Sequence, residues 1–105
     1  MTMWFVTRHA GARQWAVEQG MNVDRVVDHL DLHKVRAGDT VLGSLPVNLV
    51  ADLNAKGVRY FHLTLPLSSE LRGKEISAEM MQDLGARLQE YEVRKIGKAG
   101  IEEGV

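Results

Sequence analysis

Arg8 and His9 stand side by side in the segment Thr7-Arg8-His9-Ala10-Gly11, between a short apolar run and a helix-forming stretch. Those residue types in that place suit a phosphate. Arg8 offers two parallel donors, the amides of a following helical turn can receive an anion, and a histidine exchanges a proton near neutrality. The plain alternative is an exposed Arg-His pair in a loop. Gly43-Ser44-Leu45-Pro46 repeats the construction at a second strand-to-helix junction. There Gly43 would let a ligand approach the backbone, and Ser44 supplies a hydroxyl beside free amides; a simple N-cap turn is the alternative. A third segment, Pro66 to Ser77, is long for a turn and carries Ser68, Ser69, Glu70, Arg72, Gly73 and Lys74. Arg72-Gly73-Lys74 would close over an anion, Gly73 allowing the bend, unless the loop is merely solvated.

The remaining histidines point less clearly to chemistry. His29 and His33 are four apart, but their segment reads as strand then turn, and no third ligand accompanies them, so no metal site is expected. His62 falls inside a strand, where a core or sheet-face role is expected. The pair Met80-Met81 reads as core packing. No phosphate-binding Walker loop, dinucleotide fingerprint or nucleophile elbow occurs, and no cofactor is called for.

The elements that must position these loops follow from the apolar pattern. Met3 to Thr7, Val23 to Leu30, Thr40 to Gly43 and Val58 to Leu65 read as strands, the second at an edge or with an exposed face. Helices are expected from Ala12 to Gln19, ended by Gly20, and from Ser44-Leu45-Pro46 to about Lys56, ended by Gly57. Ala37-Gly38-Asp39 is a turn signal. A last helix would be capped by Ser77, with Glu79 near its positive end and Met81, Leu84, Leu88 and Tyr91 on its buried face. The expected fold is therefore α/β: a small Rossmann-like, mainly parallel sheet with helices on both faces, in the order β-α-β-β-α-β-α. Ligands of such sheets sit beyond the C-terminal strand ends near a switch in strand order, which selects the three loops above. One domain over residues 1–94 and a flexible tail over 95–105 are expected.

Bulk properties narrow the classes. At 105 residues there is room for one core, and self-association would be an economical way to bury more surface. The absence of cysteine excludes disulfides and thiolate chemistry and suits a reducing compartment. The apolar run Met3 to Val6 is too short for a membrane span, so no membrane partner is expected and the cytoplasm is the default location. A net charge of −1 argues against binding a long nucleic acid, which needs an excess of Lys and Arg, but leaves room for a small anion.

The segments Trp4-Phe5-Val6-Thr7-Arg8-His9-Ala10-Gly11-Ala12 with Trp15-Ala16, His29-Leu30, Gly38-Asp39-Thr40-Val41, Gly43-Ser44-Leu45-Pro46-Val47, Tyr60-Phe61-His62-Leu63 and Leu71-Arg72-Gly73-Lys74-Glu75-Ile76-Ser77, in this order, resemble a known family. It is that of the small CRISPR-associated Csx proteins numbered sixteen, accessories of type III systems. The resemblance spans roughly residues 3 to 93. It implies a ring nuclease that degrades cyclic oligoadenylate, in particular cyclic tetra-adenylate, and so switches off antiviral signalling. It further implies kinship with CRISPR-associated Rossmann-like sensors that act as dimers. A two-fold dimer matches the symmetry of a ring of four phosphates. RNA carries its own nucleophile, the 2′-hydroxyl, so the protein need only align it and stabilise charge, leaving a linear product with a 2′,3′-cyclic phosphate. In that reading Arg8, the loop amides and Ser44 hold the phosphate, His9 is the general acid or base, and Arg72 is a clamp.

Three rival readings stand beside it. A binding module would sequester the ring without cutting it. A histidine phosphatase is suggested by Arg8-His9, but Ala10 separates His9 from the glycine that its triplet requires. An interaction subunit would use Trp4 or Trp15 as an anchor.

Overall fold

A computed structural model of the chain describes residues 1–97. It contains strands β1 (Met3–Val6), β2 (Arg25–Val27), β3 (Thr40–Gly43), β4 (Arg59–Thr64) and β5 (Arg87–Tyr91), and helices α1 (Ala12–Glu18), α2 (Val47–Ala55) and α3 (Ala78–Asp83). One sheet holds all five strands in the order β2-β1-β3-β4-β5. β1 to β4 run parallel, and β5 returns antiparallel along β4. The α/β class, the mainly parallel sheet and the edge position of β2 agree with the sequence reading.

Period-two alternation along the strands divides the core between the two sheet faces. Phe5, Leu42 and Leu63 point to one side and meet Ala12, Trp15 and Ala16 of α1 and Ala78 and Met81 of α3. Trp4, Val41 and Tyr60 point to the other and meet Val50 and Leu53 of α2. Helices therefore cover both faces, as parallel strands require. Burying each large apolar side chain contributes about 1.5–3 kcal/mol, and Trp15, Phe5, Leu42 and Leu53 are all fully buried. Trp4 and Trp15 are spent in these two cores and offer no surface anchor.

The C-terminal part differs from the expected long helix. Ser77 does cap α3, accepting from the Met80 amide at 3.1 Å. The helix ends at Asp83, and Gly85 takes φ +80°, a conformation that side-chain-bearing residues rarely adopt. The Gly85 amide donates to the Gln82 carbonyl and the Ala86 amide to the Met81 carbonyl, which closes the last turn. The chain then forms β5, so the order is β-α-β-β-α-β-α-β. Leu88 packs on the core from the sheet, opposite Leu63, while Tyr91 is 50% exposed. The apolar spacing Met81, Leu84, Leu88, Tyr91 fits a helix, but the open edge of β4 supplies backbone partners that a helix would leave unpaired. The expected tail falls mostly on residues 98–105, outside the described residues.

At the N-terminal end of the sheet, Asp39 is buried and fully engaged. Its carboxylate accepts from the Thr2 amide at 2.9 Å, the Arg36 amide at 3.0 Å and the Trp4 indole at 3.2 Å. Burial works to raise its pKa. The Arg36 and Thr2 amides, the Trp4 indole and the N-terminal ammonium outweigh that effect and hold it below the usual carboxylate value.

Candidate functional site

The three loops converge where the topology directs them. Strand order reverses between β1 and β3, and a cleft of about 790 Å³ opens beyond the C-terminal ends of β1, β3 and β4. Thr7, Arg8 and His9 line it from the first loop, Ser44 and Leu45 from the second, and Gly73, Lys74 and Glu75 from the third. Asp28, His62, Leu65 and Leu67 complete the polar and apolar walls.

The first loop is held by its own backbone. The Thr7 amide donates to the Val27 carbonyl at 2.9 Å, and the Thr7 hydroxyl accepts from the His9 amide at 3.1 Å. The amides of Gly11 and Ala12 are taken up by the carbonyls of Ile76 and His9. Those of Arg8 and Ala10 have no partner among the described residues, so within the loop they are the donors left for an anion. Gly11 does not line the cleft. A Cβ there would sit within 2.7 Å of the Ser77 Cα, so the glycine seats the loop against the start of α3.

The second loop is tied to β4. The Ser44 hydroxyl donates to the Leu63 carbonyl at 2.7 Å, which commits its only proton, and it makes no cap bond to α2. Pro46 is the N-cap position of α2 and lies outside the cleft lining. Gly43 is packed against β1, a Cβ meeting the Val6 carbonyl at 3.1 Å, so the close approach it permits is between strands.

In the third loop, Leu65, Leu67 and Leu71 pack on the core and Ile76 is buried, while two tight turns join Leu71 to Ser68 and Lys74 to Leu71. Gly73 and Lys74 face the cleft. Ser68, Glu70 and Arg72 are exposed on the loop outside its lining.

Electrostatically the lining is balanced, with Arg8 and Lys74 against Asp28 and Glu75. An anion here must be held by aimed donors, because the single-chain lining supplies no net positive field. Arg8 is available for that purpose. Its guanidinium lies 3.4 Å from His29 Nε2 and, like Lys74 and Arg72, forms no ion pair among the described residues. Also among those residues, no three His, Cys, Asp or Glu side chains group closely enough to hold a metal ion.

Two residues of β4 enter that the sequence reading did not place in the site: Tyr60, which it gave no role, and His62, which it set aside. Tyr60 and His62 alternate on one face of β4, where the Tyr60 hydroxyl contacts the Leu45 amide (2.9 Å), the Gly43 carbonyl (2.9 Å) and His62 Nδ1 (2.7 Å). Burial raises the Tyr60 pKa, a bond from the Leu45 amide offsetting part of the effect, so the phenol keeps its proton. His62, together with Leu45, also forms the wall shared by the cleft and an apolar slot of about 310 Å³ lined by Val47, Val50, Tyr91 and Val93. The usable signal was the C-terminal position of His62 on its strand, two residues after Tyr60, which puts both on one face.

The family model described as "Putative CRISPR-associated protein (Cas_VVA1548)" matches residues 4–94. The chain belongs to that family. The match runs from Trp4 in β1 to beyond the end of β5, so it includes every loop of the cleft. No curated protein and no solved structure matches the chain. Among the described residues no helix is long and apolar enough to cross a membrane.

Proposed function

We propose that this CRISPR-associated chain is a ring nuclease of the Csx type numbered sixteen, cleaving cyclic tetra-adenylate to end type III antiviral signalling. The observation that carries the reading is the convergence of Arg8 and His9 from the first loop and Lys74 from the third on one cleft at the strand-order switch. Cyclic oligoadenylate supplies what such a cleft lacks. Its 2′-hydroxyl is the nucleophile, and its phosphates are the anions that Arg8, Lys74 and the Arg8 and Ala10 amides would hold. His9 would exchange the proton as general acid or base, and Arg72, beside Gly73, would clamp the ring from outside. A homodimer would set two such clefts about the two-fold axis of the ring and double the cations facing it.

The test is to incubate the purified protein with excess cyclic tetra-adenylate in EDTA and to identify products by mass spectrometry. Multiple turnover to linear products ending in a 2′,3′-cyclic phosphate is expected. A ring recovered intact but bound stoichiometrically would replace cleavage by sequestration. An intact, unbound ring would overturn both.

A further inference from the structure

We infer that His62 is the general base that activates the 2′-hydroxyl, and that Tyr60 fixes it in the tautomer this role requires. The inference rests on the ring-nuclease reading and assigns a residue to a role that reading leaves open.

The argument is a proton count. The Leu45 amide can only donate, so the Tyr60 oxygen accepts from it. The Gly43 carbonyl can only accept, so the Tyr60 hydroxyl, with its single proton, donates to it. The 2.7 Å contact between Tyr60 and His62 Nδ1 must then be made with a proton on Nδ1. The opposite arrangement would leave two oxygens facing each other at 2.9 Å with no proton between them. In neutral His62 the lone pair is therefore on Nε2. That atom has no hydrogen-bond partner among the described residues, and no half-buried side chain there hides an unpartnered nitrogen, so Nε2 is open to solvent. His62 is positioned from both sides: by Tyr60, and by Tyr91, whose ring meets it edge-on at 5.9 Å.

This tautomer accepts a proton at the exposed nitrogen and cannot donate one there. His62 Nε2 would take the 2′-hydroxyl proton as the 2′-oxygen bonds to phosphorus. The bond from phosphorus to the 5′-oxygen breaks, and that oxygen receives a proton from His9 in its imidazolium form. Exchange with water then restores both rings, and no further reactant is needed.

The test measures multiple-turnover cleavage of cyclic tetra-adenylate across pH by the wild type, H62Q, H62A with and without added imidazole, and Y60F, with melting curves for each. We expect H62Q to lose about 10²–10⁴-fold in kcat, with KM nearly unchanged, and to lose the acidic limb of the pH profile. The other titratable groups around the ring, namely Tyr60, Tyr91, Arg8, His9, Asp28, Lys74 and Glu75, are all retained in H62Q, so loss of the limb belongs to His62. Imidazole should restore part of the H62A rate, and Y60F should lower kcat while keeping the limb. An H62Q variant with wild-type kcat, or with an unchanged acidic limb, overturns the assignment while leaving the ring-nuclease reading standing. Absence of turnover in the wild type overturns that reading itself.

Discussion

The two ends of the parallel sheet treat their polar groups in opposite ways. At the N-terminal end, the Asp39 carboxylate is buried, accepts three hydrogen bonds from Thr2, Arg36 and Trp4, and joins the start of β1 to the turn before β3. At the C-terminal end, Arg8 and Lys74 have no carboxylate partner among the described residues, and His62 Nε2 and two loop amides point at nothing in the protein. A satisfied polar group in a fold stabilises it; an unsatisfied one at an open cleft is available to a ligand. The difference assigns stability to one end and leaves the other open to a ligand, and with the proposed function it predicts that substitutions at the two ends will change different measurements.

The largest effect should come from the open end. His9→Ala is expected to lower the cleavage rate about 10³-fold, equivalent to roughly 4 kcal/mol of lost transition-state stabilisation, while Tm moves by no more than a degree or two. Its backbone bonds to Thr7 and Ala12 survive truncation of the side chain. A large fall in Tm would mean that the rim also holds the fold together, and the contrast between the ends would fail.

Asp39→Ala should do the reverse. It leaves two amides and an indole N–H without their acceptor, which costs about 3 kcal/mol in total, or a fall of roughly 10–20 °C in Tm for a domain of this size. Per folded molecule, the cleavage rate should stay within about threefold of wild type. Thermal denaturation followed by assay below the new Tm separates the two outcomes.

The same carboxylate gives the anchored end a pH signature. Its folded-state pKa is held below the unfolded value of about 3.9, so its contribution is fully present above roughly pH 4 and is lost as pH falls through the folded value. Denaturant titrations should therefore show wild-type stability dropping towards Asp39→Asn as the medium is acidified below pH 4. Above pH 5 the gap between the two proteins should be constant. A gap that widened in acid would show that the carboxylate is not stabilised by folding.

How much of this was visible in the sequence depended on whether a local signal or a distant partner decided the outcome. Gly20 and Gly57 read correctly as helix ends, and both take the positive φ that such ends require. Gly85 carries the same signal, but the sequence reading followed only the apolar spacing running on to Tyr91, and β5 was missed because its reason lies in the open edge of β4. The loops of the site were legible because the strand-end rule needs only the order of elements. The commitments inside them were not: that Ser44 spends its proton on Leu63, that Gly11 seats against Ser77, and that Asp39 is a buried acceptor rather than a plain turn residue. Each depends on a residue 19 or more positions away. His62 was set aside because strand histidines are commonly inert, yet its place two residues after Tyr60, on the same strand face, is a fact of alternation alone.

Ser44 tests the comparison where it is closest to failing, since the residue lines the open cleft but is bonded like the anchored end. Its 2.7 Å bond to the Leu63 carbonyl ties the second loop to β4, and its hydroxyl proton is not free for a phosphate. Ser44→Ala should therefore behave as a small stability variant. We expect a loss of about 1 kcal/mol in denaturant unfolding and a cleavage rate within about threefold of wild type. A rate loss of a hundredfold at unchanged stability would mean that the hydroxyl turns from Leu63 to the ligand on binding. The division between the two ends would then hold only for the unliganded protein, and position in the cleft would outrank the hydrogen bond in deciding what a side chain does.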